Sequence, residues 1–405
     1  MNQRHRSAMS RRTLLLGSAV LAIGTQSGIA AQPATPVTPI ADELPPFADR
    51  IGTLLAMVPA REVANDPLIP FYYADLARQM ASVGVELPDP NMPLGSLPDG
   101  FVESSLALPL AAHAFPAGRT PEWFETFGFN SFGVDQAITL NLSPDVVSIF
   151  TGELDVDAVR AALKATGYLP VQQETGGSYW TVGDDIDLES SVGRLGIGTM
   201  NHAAVYDDAL VFAQQESAIS DFTQTVAGLA PSMLEQELWA GMIDLFSPDT
   251  VGLIPVSPGI VGAEDASPVL EAATPATGTS SGLEYLAFGV RAGSVSEPLS
   301  LVGQGTPEAT PVSGISSVPA QVDVRIRYGS AALAGQEAEA IPERWRELSS
   351  PLSGQPYVEL MRLDDSRVHA DDDLVVAVDF TSDVPNRWIQ MVQTRDLAPI
   401  LPVVG

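Results

Sequence analysis

The chain has 405 residues, 50 acids against 20 bases, a net charge near −30, and no cysteine. So acidic a molecule repels nucleic acid and anionic lipid head groups, which argues against binding to either. Without cysteine there is no disulfide, no thiolate nucleophile, no thiolate-bound zinc or iron–sulfur site, and no lipid anchor of the bacterial lipoprotein kind.

Residues 1–30 read as an export leader. Arg4, Arg6, Arg11 and Arg12 precede an apolar run, Leu14–Ile23, and small residues at Gly28, Ala30 and Ala31 place cleavage after Ala30. An apolar core this short does not cross a ~30 Å hydrocarbon layer. Ser10-Arg11-Arg12-Thr13-Leu14-Leu15 fits the twin-arginine pattern used to export folded proteins. A general secretory leader that happens to contain Arg11-Arg12, and an uncleaved anchor, are the competing readings. The expected partner is therefore the twin-arginine export machinery, and the expected location the extracellular space or cell envelope. Cleavage leaves sixteen bases against fifty acids, a net charge of about −34. A charged partner of the mature chain is then expected to be cationic. Lys164 is the one lysine, so Schiff-base chemistry would rest on it alone. No later apolar run reaches the ~18 residues that a membrane helix requires.

Residues 31–46, rich in Pro, Thr and Ala, read as an extended linker. Residues 47–132 look mainly helical: Phe47–Val58 and Phe71–Val83 carry apolar stripes, the second stopping at Gly84. Short helices follow near Ser104–Ala114 and Pro121–Phe127. From residue 133 the texture changes. Ile138, Leu140 and Leu142 alternate with Thr139 and Asn141 as a half-buried strand, and Val146–Thr151 makes a second. Asp155 caps a helix with Val156, Val159 and Leu163 on one face, and Gly167 stops it. Strands at Ser178–Val182, His202–Tyr206 and Ala209–Ala213 lead to a helix from Ser217. After a low-complexity insertion, 263–282, strands are expected at Tyr285–Val290 and Val322–Tyr328, with a second such insertion, 303–314, between them. A helix, Ala331–Leu348, bends at Pro342. A strand at Tyr357–Leu363, a hairpin of Arg367–Ala370 and Leu374–Phe380 turning at Asp371-Asp372-Asp373, and a helix at Val384–Thr394 close the chain.

Residues 133–262 and 283–405 thus share one order of elements, each with an acidic turn between two apolar strands before its closing helix. The expected fold class is α+β: two related units of short antiparallel sheet, each covered on one face by helices, after a mainly helical segment.

Ser131-Phe132-Gly133-Val134-Asp135, a strand pair, then Thr151-Gly152-Glu153-Leu154-Asp155 and a helix ending Gly167-Tyr168 resemble a group of uncharacterised exported proteins of actinobacteria and related phyla. Leu55–Pro59 and Tyr73-Ala74-Asp75-Leu76 fit the same resemblance, which spans about a third of the chain. The group brings no activity, so no functional residue is carried over from it.

Site chemistry is sparse. Past the leader, histidine occurs at His113, His202 and His369, none spaced as a local metal pair. His202 and His369 occupy matching places in the two halves, which suits a structural role at a strand start. Asp371, Asp372 and Asp373, and the run Asp184-Asp185-Ile186-Asp187, offer oxygen ligands to calcium but lack EF-hand spacing; Asp also simply favours turns. Trp123, Phe124, Phe127, Phe129 and Phe132 form an aromatic cluster that is either a groove or core. No Ser-x-x-Lys, Walker loop or dinucleotide fingerprint is present, and no cofactor is predicted. The expected function is non-catalytic binding of a ligand or envelope partner, with an exported hydrolase or metal-dependent enzyme as the alternative.

Overall fold

Phe47, Ile51, Leu54 and Leu55 recur at helical spacing, and in the computed structural model they form the buried stripe of α1 (Phe47–Leu55). The residues described are 44–60, 71–88, 100–109, 120–142, 145–175, 177–183, 185, 187–196, 198–256, 282–293 and 318–401. All of them lie in one compact unit, Pro39–Gly405.

The stretch expected as a single helix at 71–83 is two elements. Phe71-Tyr72-Tyr73 are aromatic residues that favour a pleated surface, and they form β1 (Phe71–Asp75). Asp75 then accepts a hydrogen bond from the Arg78 amide at 2.9 Å and starts α2 (Leu76–Val83), which Gly84 ends at φ +68°. Residues 47–132 are therefore not simply helical: they supply a strand of the main sheet. Two short helices complete the segment, α3 (Phe101–Ser105) and α4 (Pro121–Phe127).

β2 (Val134–Leu142) and β3 (Asp145–Gly152) follow, then α5 (Val156–Ala165), capped by Asp155 as expected. β4 (Leu169–Gln172), β5 (Ser178–Thr181) and α6 (Ser191–Gly196) lead to β6 (His202–Val205), β7 (Ala209–Ala213) and α7 (Glu216–Val226). Next come α8 (Glu237–Ile243), β8 (Thr250–Val256), β9 (Leu283–Arg291) and β10 (Ala320–Tyr328). The last elements are α9 (Ala331–Glu347), α10 (Tyr357–Leu360), β11 (Arg362–Val368), β12 (Val375–Ser382) and α11 (Arg387–Gln393). The strand expected at 357–363 is thus a helical turn followed by a strand that starts later.

Among the described residues twelve strands join one antiparallel sheet, in the order β11-β12-β10-β9-β8-β1-β2-β3-β7-β6-β5-β4. The chain is accordingly α+β, helices packed on a large antiparallel sheet. Outward from the β8–β1 junction the order runs β8-β9-β10-β12-β11 one way and β1-β2-β3-β7-β6 the other, with β5 and β4 added at the far edge.

Helices lie on both faces over β1–β3 and β6–β7, against the expectation of one. On one face α1, α7 and α8 bury Ile51, Phe222 and Met242 against Ile138, Val147, Ile149 and Val211. On the other, α4 and α5 bury Trp123, Phe127, Val159 and Leu163 against Phe150, Leu210 and Phe212. Thr139, which sequence alternation places in water, is buried, and its hydroxyl meets that of Ser148 across the strand pair at 3.4 Å. Gly128 (φ +74°) ends α4 where any Cβ would sit 2.5 Å from the Ala158 carbonyl, so its bareness lets α5 approach.

Around β10 and β12 the pattern differs. Val322, Val324, Ile326 and Tyr328, with Val376, Val378 and Phe380, pack under α9 and α11. Pro342 lies inside α9 and has no amide for the Ala338 carbonyl four residues back. The Ser366 hydroxyl on β11 donates to that carbonyl at 2.9 Å, tying helix to strand.

Candidate functional site

The alternate residues of β10 are Asp323, Arg325 and Arg327, on the face opposite α9. Register sets Asp323 directly across from Asp379 on β12, and Asp365 of β11 across from Asp379 in turn. Carboxylates in line across adjacent strands repel, so this arrangement needs cations between them.

Arginine supplies them. Arg291, at the end of β9, donates to Asp323 through Nε at 2.8 Å and Nη2 at 2.6 Å, a bidentate pair. Arg325 donates to Asp379 at 3.2 Å and lies 3.8 Å from Asp323. Arg367 donates to Asp379 at 2.8 Å and also to Asp365. The chain Arg291–Asp323–Arg325–Asp379–Arg367–Asp365 therefore crosses four strands. At its inner end Arg325 gives Nε to the Leu245 carbonyl at 3.0 Å, and the Phe246 ring covers the guanidinium at 5.5 Å. Gly289 makes room for that ring, since a Cβ there would meet it at 2.7 Å.

Exposure varies along this chain of ion pairs. Asp323 is 1% exposed, Arg325 5% and Asp379 20%, whereas Arg291 is 38%, Arg367 49% and Asp365 52% exposed. Two guanidinium groups, Arg291 and Arg367, thus reach the surface over the less exposed Asp323 and Asp379, which fix their orientation. Burial pushes Asp323 above its ordinary value against the pull of Arg291. Burial acts the same way on Asp379, but the hydrogen bond from Arg367 and the charges of Arg325 and Arg367 outweigh it and hold that carboxyl low.

At the hairpin end Arg327 pairs with Glu284 at 2.9 Å and with Asp372. Asp372 also accepts the Leu374 amide at 3.0 Å, while Asp371 and Asp373 are exposed turn residues. The calcium candidates thus do not converge: among the described residues no three His, Asp or Glu side chains are grouped to hold a metal. His369 sits beside this network, lowered by burial and further by Arg325 and Arg367, with Nδ1 accepting from the Asp371 amide at 3.2 Å.

His202 is fully buried at the start of β6, edge-on to Tyr179 at 6.4 Å. His369 follows the end of β11, so the two histidines do not match in position. Nine strand spacings of ~4.8 Å separate their strands, roughly 40 Å, and no common site unites them. His113, Arg11, Arg12, Ala30, Asp184 and the low-complexity segments 263–281 and 303–314 lie outside the described residues. The aromatic cluster is core: Trp123, Phe127, Phe129 and Phe132 are buried, with Phe129 5.5 Å from Phe150, and only Phe124 of the five is exposed.

Sequence reading missed a second ion pair. Arg50 of α1 makes a two-point contact with the fully buried Asp75, which also accepts from the Tyr73 hydroxyl at 3.3 Å. Burial works against the Arg50 charge, but Asp75 more than offsets it and raises the guanidinium further. Taking 71–83 as one helix concealed Asp75 as a strand end and helix cap.

No protein-family model matches the chain, and no curated protein matches it. Among solved structures it is similar to one described as "Structure of crystal form I of TP0453", at a TM-score of 0.39 and 6% identity, over 84% of this chain and 96% of that one. A likeness so distant bears on neither ligand nor activity. Among the described residues no helix is long and apolar enough to cross a membrane.

Proposed function

We propose that this chain is an exported, non-catalytic binding protein of the cell envelope or surrounding medium, built from two related halves, which meets its partner through the arginine-topped face of β9, β10, β12 and β11. The observation that carries the reading is the pair of exposed guanidiniums on that face, Arg291 and Arg367, held by the less exposed Asp323 and Asp379. Such groups are oriented before a partner arrives, which reduces the ordering cost of binding. The face also departs locally from the acidic character of the whole chain, so the partner it suits is anionic or mixed in charge rather than simply cationic.

The halves are related by strand order. β1-β2-β3-β7-β6 corresponds to β8-β9-β10-β12-β11, with a helix between the third strand and the final hairpin in each. Their closing helices differ. α7 packs on the face of Val211 and Ala213, whereas α11 packs on the opposite face with Val378 and Phe380. We read the charged face as the surface that this difference leaves without its counterpart of α7.

The rival reading, an exported hydrolase or metal-dependent enzyme, draws on the Asp323–Asp379 pair and His369. It requires Asp323 to reach a substrate, and that carboxylate is 1% exposed and doubly bonded to Arg291.

Two measurements test the proposal. With Arg11 and Arg12 both changed to lysine, the chain is expected to remain in the cytosol; unchanged secretion removes the twin-arginine claim. Purified mature protein, residues 31–405, is expected to bind saturably to envelope fractions or concentrated medium of the source cells. Absence of saturable binding to both overturns the binding reading.

A further inference from the structure

Among the described residues β11 ends the sheet, with no strand beyond its outer edge. Beside it, on the α9 side, runs a groove of about 430 Å³ between β11, α9 and α10, within the size range of ligand sites. Pro342, Trp345, Val358 and Leu363 give it an apolar lining, and Arg346 and Arg362 stand on its rim. Trp345 forms the buried floor, fixed by its indole N–H to the Met361 carbonyl at 3.0 Å and by a tilted ring contact with Phe380 at 4.5 Å, while Val358 is 43% exposed.

The opposite sheet edge is guarded differently. β4 has four residues, and Pro170 there lacks an amide to offer. β11 has seven residues and no proline. Its guard is a register shift between Leu363 and Asp365, and the Asp365 carboxylate, which takes the Ser366 amide at 2.9 Å. The part of the edge beside the groove, Arg362–Asp364, is N-terminal to that capped amide.

Charge on the rim is unequally spent. Asp364 accepts from Arg362 at 2.8 Å and from the Thr381 hydroxyl at 2.5 Å, and Asp365 is held by Arg367. Arg346 donates Nε to the Pro342 carbonyl of its own helix at 3.0 Å and forms no ion pair among the described residues. The acids of the rim are engaged internally, and an exposed guanidinium remains.

We propose that β11 and this groove take an extended peptide segment of a partner protein by strand addition, with an apolar side chain against Val358 and Leu363 and a neighbouring carboxylate on Arg346. Backbone pairing to an edge gives affinity, and a pocket for alternate side chains gives selectivity. The proposal rests on the binding reading but uses a different surface from the arginine-topped face.

The test is selection of displayed random octapeptides against the mature protein. Recovered peptides are expected to share an apolar residue with Asp or Glu within two positions. Synthetic copies are expected to bind Arg346→Glu and Val358→Glu about tenfold more weakly, with both variants retaining the wild-type circular dichroism spectrum. Methylating alternate backbone amides of the peptide is expected to abolish binding. No recovered binder, binders indifferent to both substitutions, or binders indifferent to amide methylation would overturn the proposal. So would a concentration-dependent dimer in sedimentation that both substitutions dissolve, because a second copy would then be the occupant. Envelope binding without any peptide binder removes this inference alone; peptide binding without envelope binding removes the broader reading instead.

Discussion

Asp323 and Asp379 face each other across two strands, and burial with arginine placement drives their proton affinities apart. The sign of the pH effect follows from Asp379. Its folded value lies below the ordinary 3.8, so the folded state takes up that proton less readily than the unfolded chain. Its stabilising contribution is fully present above about pH 4 and fades as the pH falls through the folded value. Asp379→Asn is therefore expected to lower the thermal midpoint at pH 7 and to flatten its dependence below pH 4. A wild-type slope in that acid range would show that other carboxylates carry it. The residues of this network were visible in the sequence as the alternation Asp323, Arg325, Arg327 against Val322, Val324, Ile326 and Tyr328. Their partners were not, because Arg291, Arg367 and Asp379 join only through strand register.

Elements were legible where one signal dominated. The Asp155-capped helix and the strand Val322–Tyr328 follow from capping and strict alternation. Signals that fit two periods failed, as at Phe71–Asp75, where aromatic residues suit either a helix stripe or a buried strand. Short edge strands such as β4, with Pro170 and exposed Leu169, carry almost no pattern. α9 illustrates a third case. Pro342 was legible as an irregularity within a continuous helix, but not its compensation: the freed Ala338 carbonyl is met by Ser366 from another element. Ser366→Ala is expected to cost about 1 kcal/mol in denaturant unfolding. No measurable loss would mean that water replaces the hydroxyl at no cost.

At the scale of the whole molecule, the two halves of the sheet share their cores. Ala74, Leu76 and Met80, from β1 and α2, pack with Val322, Val324 and Val378. Leu253, Tyr285 and Ala287, from β8 and β9, pack with Ile138, Val147 and Val211. Cores that interpenetrate in this way should melt together. Scanning calorimetry of the mature chain is expected to give one transition with equal calorimetric and van't Hoff enthalpies; two resolved peaks would show independent halves. The high negative net charge opposes close contact between copies. Against that background the proposed binding reading rests on the face that carries Arg291 and Arg367. Its decisive measurement is the affinity of the mature chain for source-cell envelope or medium, compared with that of an Arg291→Glu, Arg367→Glu variant. At least about tenfold weaker binding is expected of the folded fraction of the variant, whose stability falls because Asp323 and Asp379 lose their cations; equal affinity in the two proteins would contradict this reading.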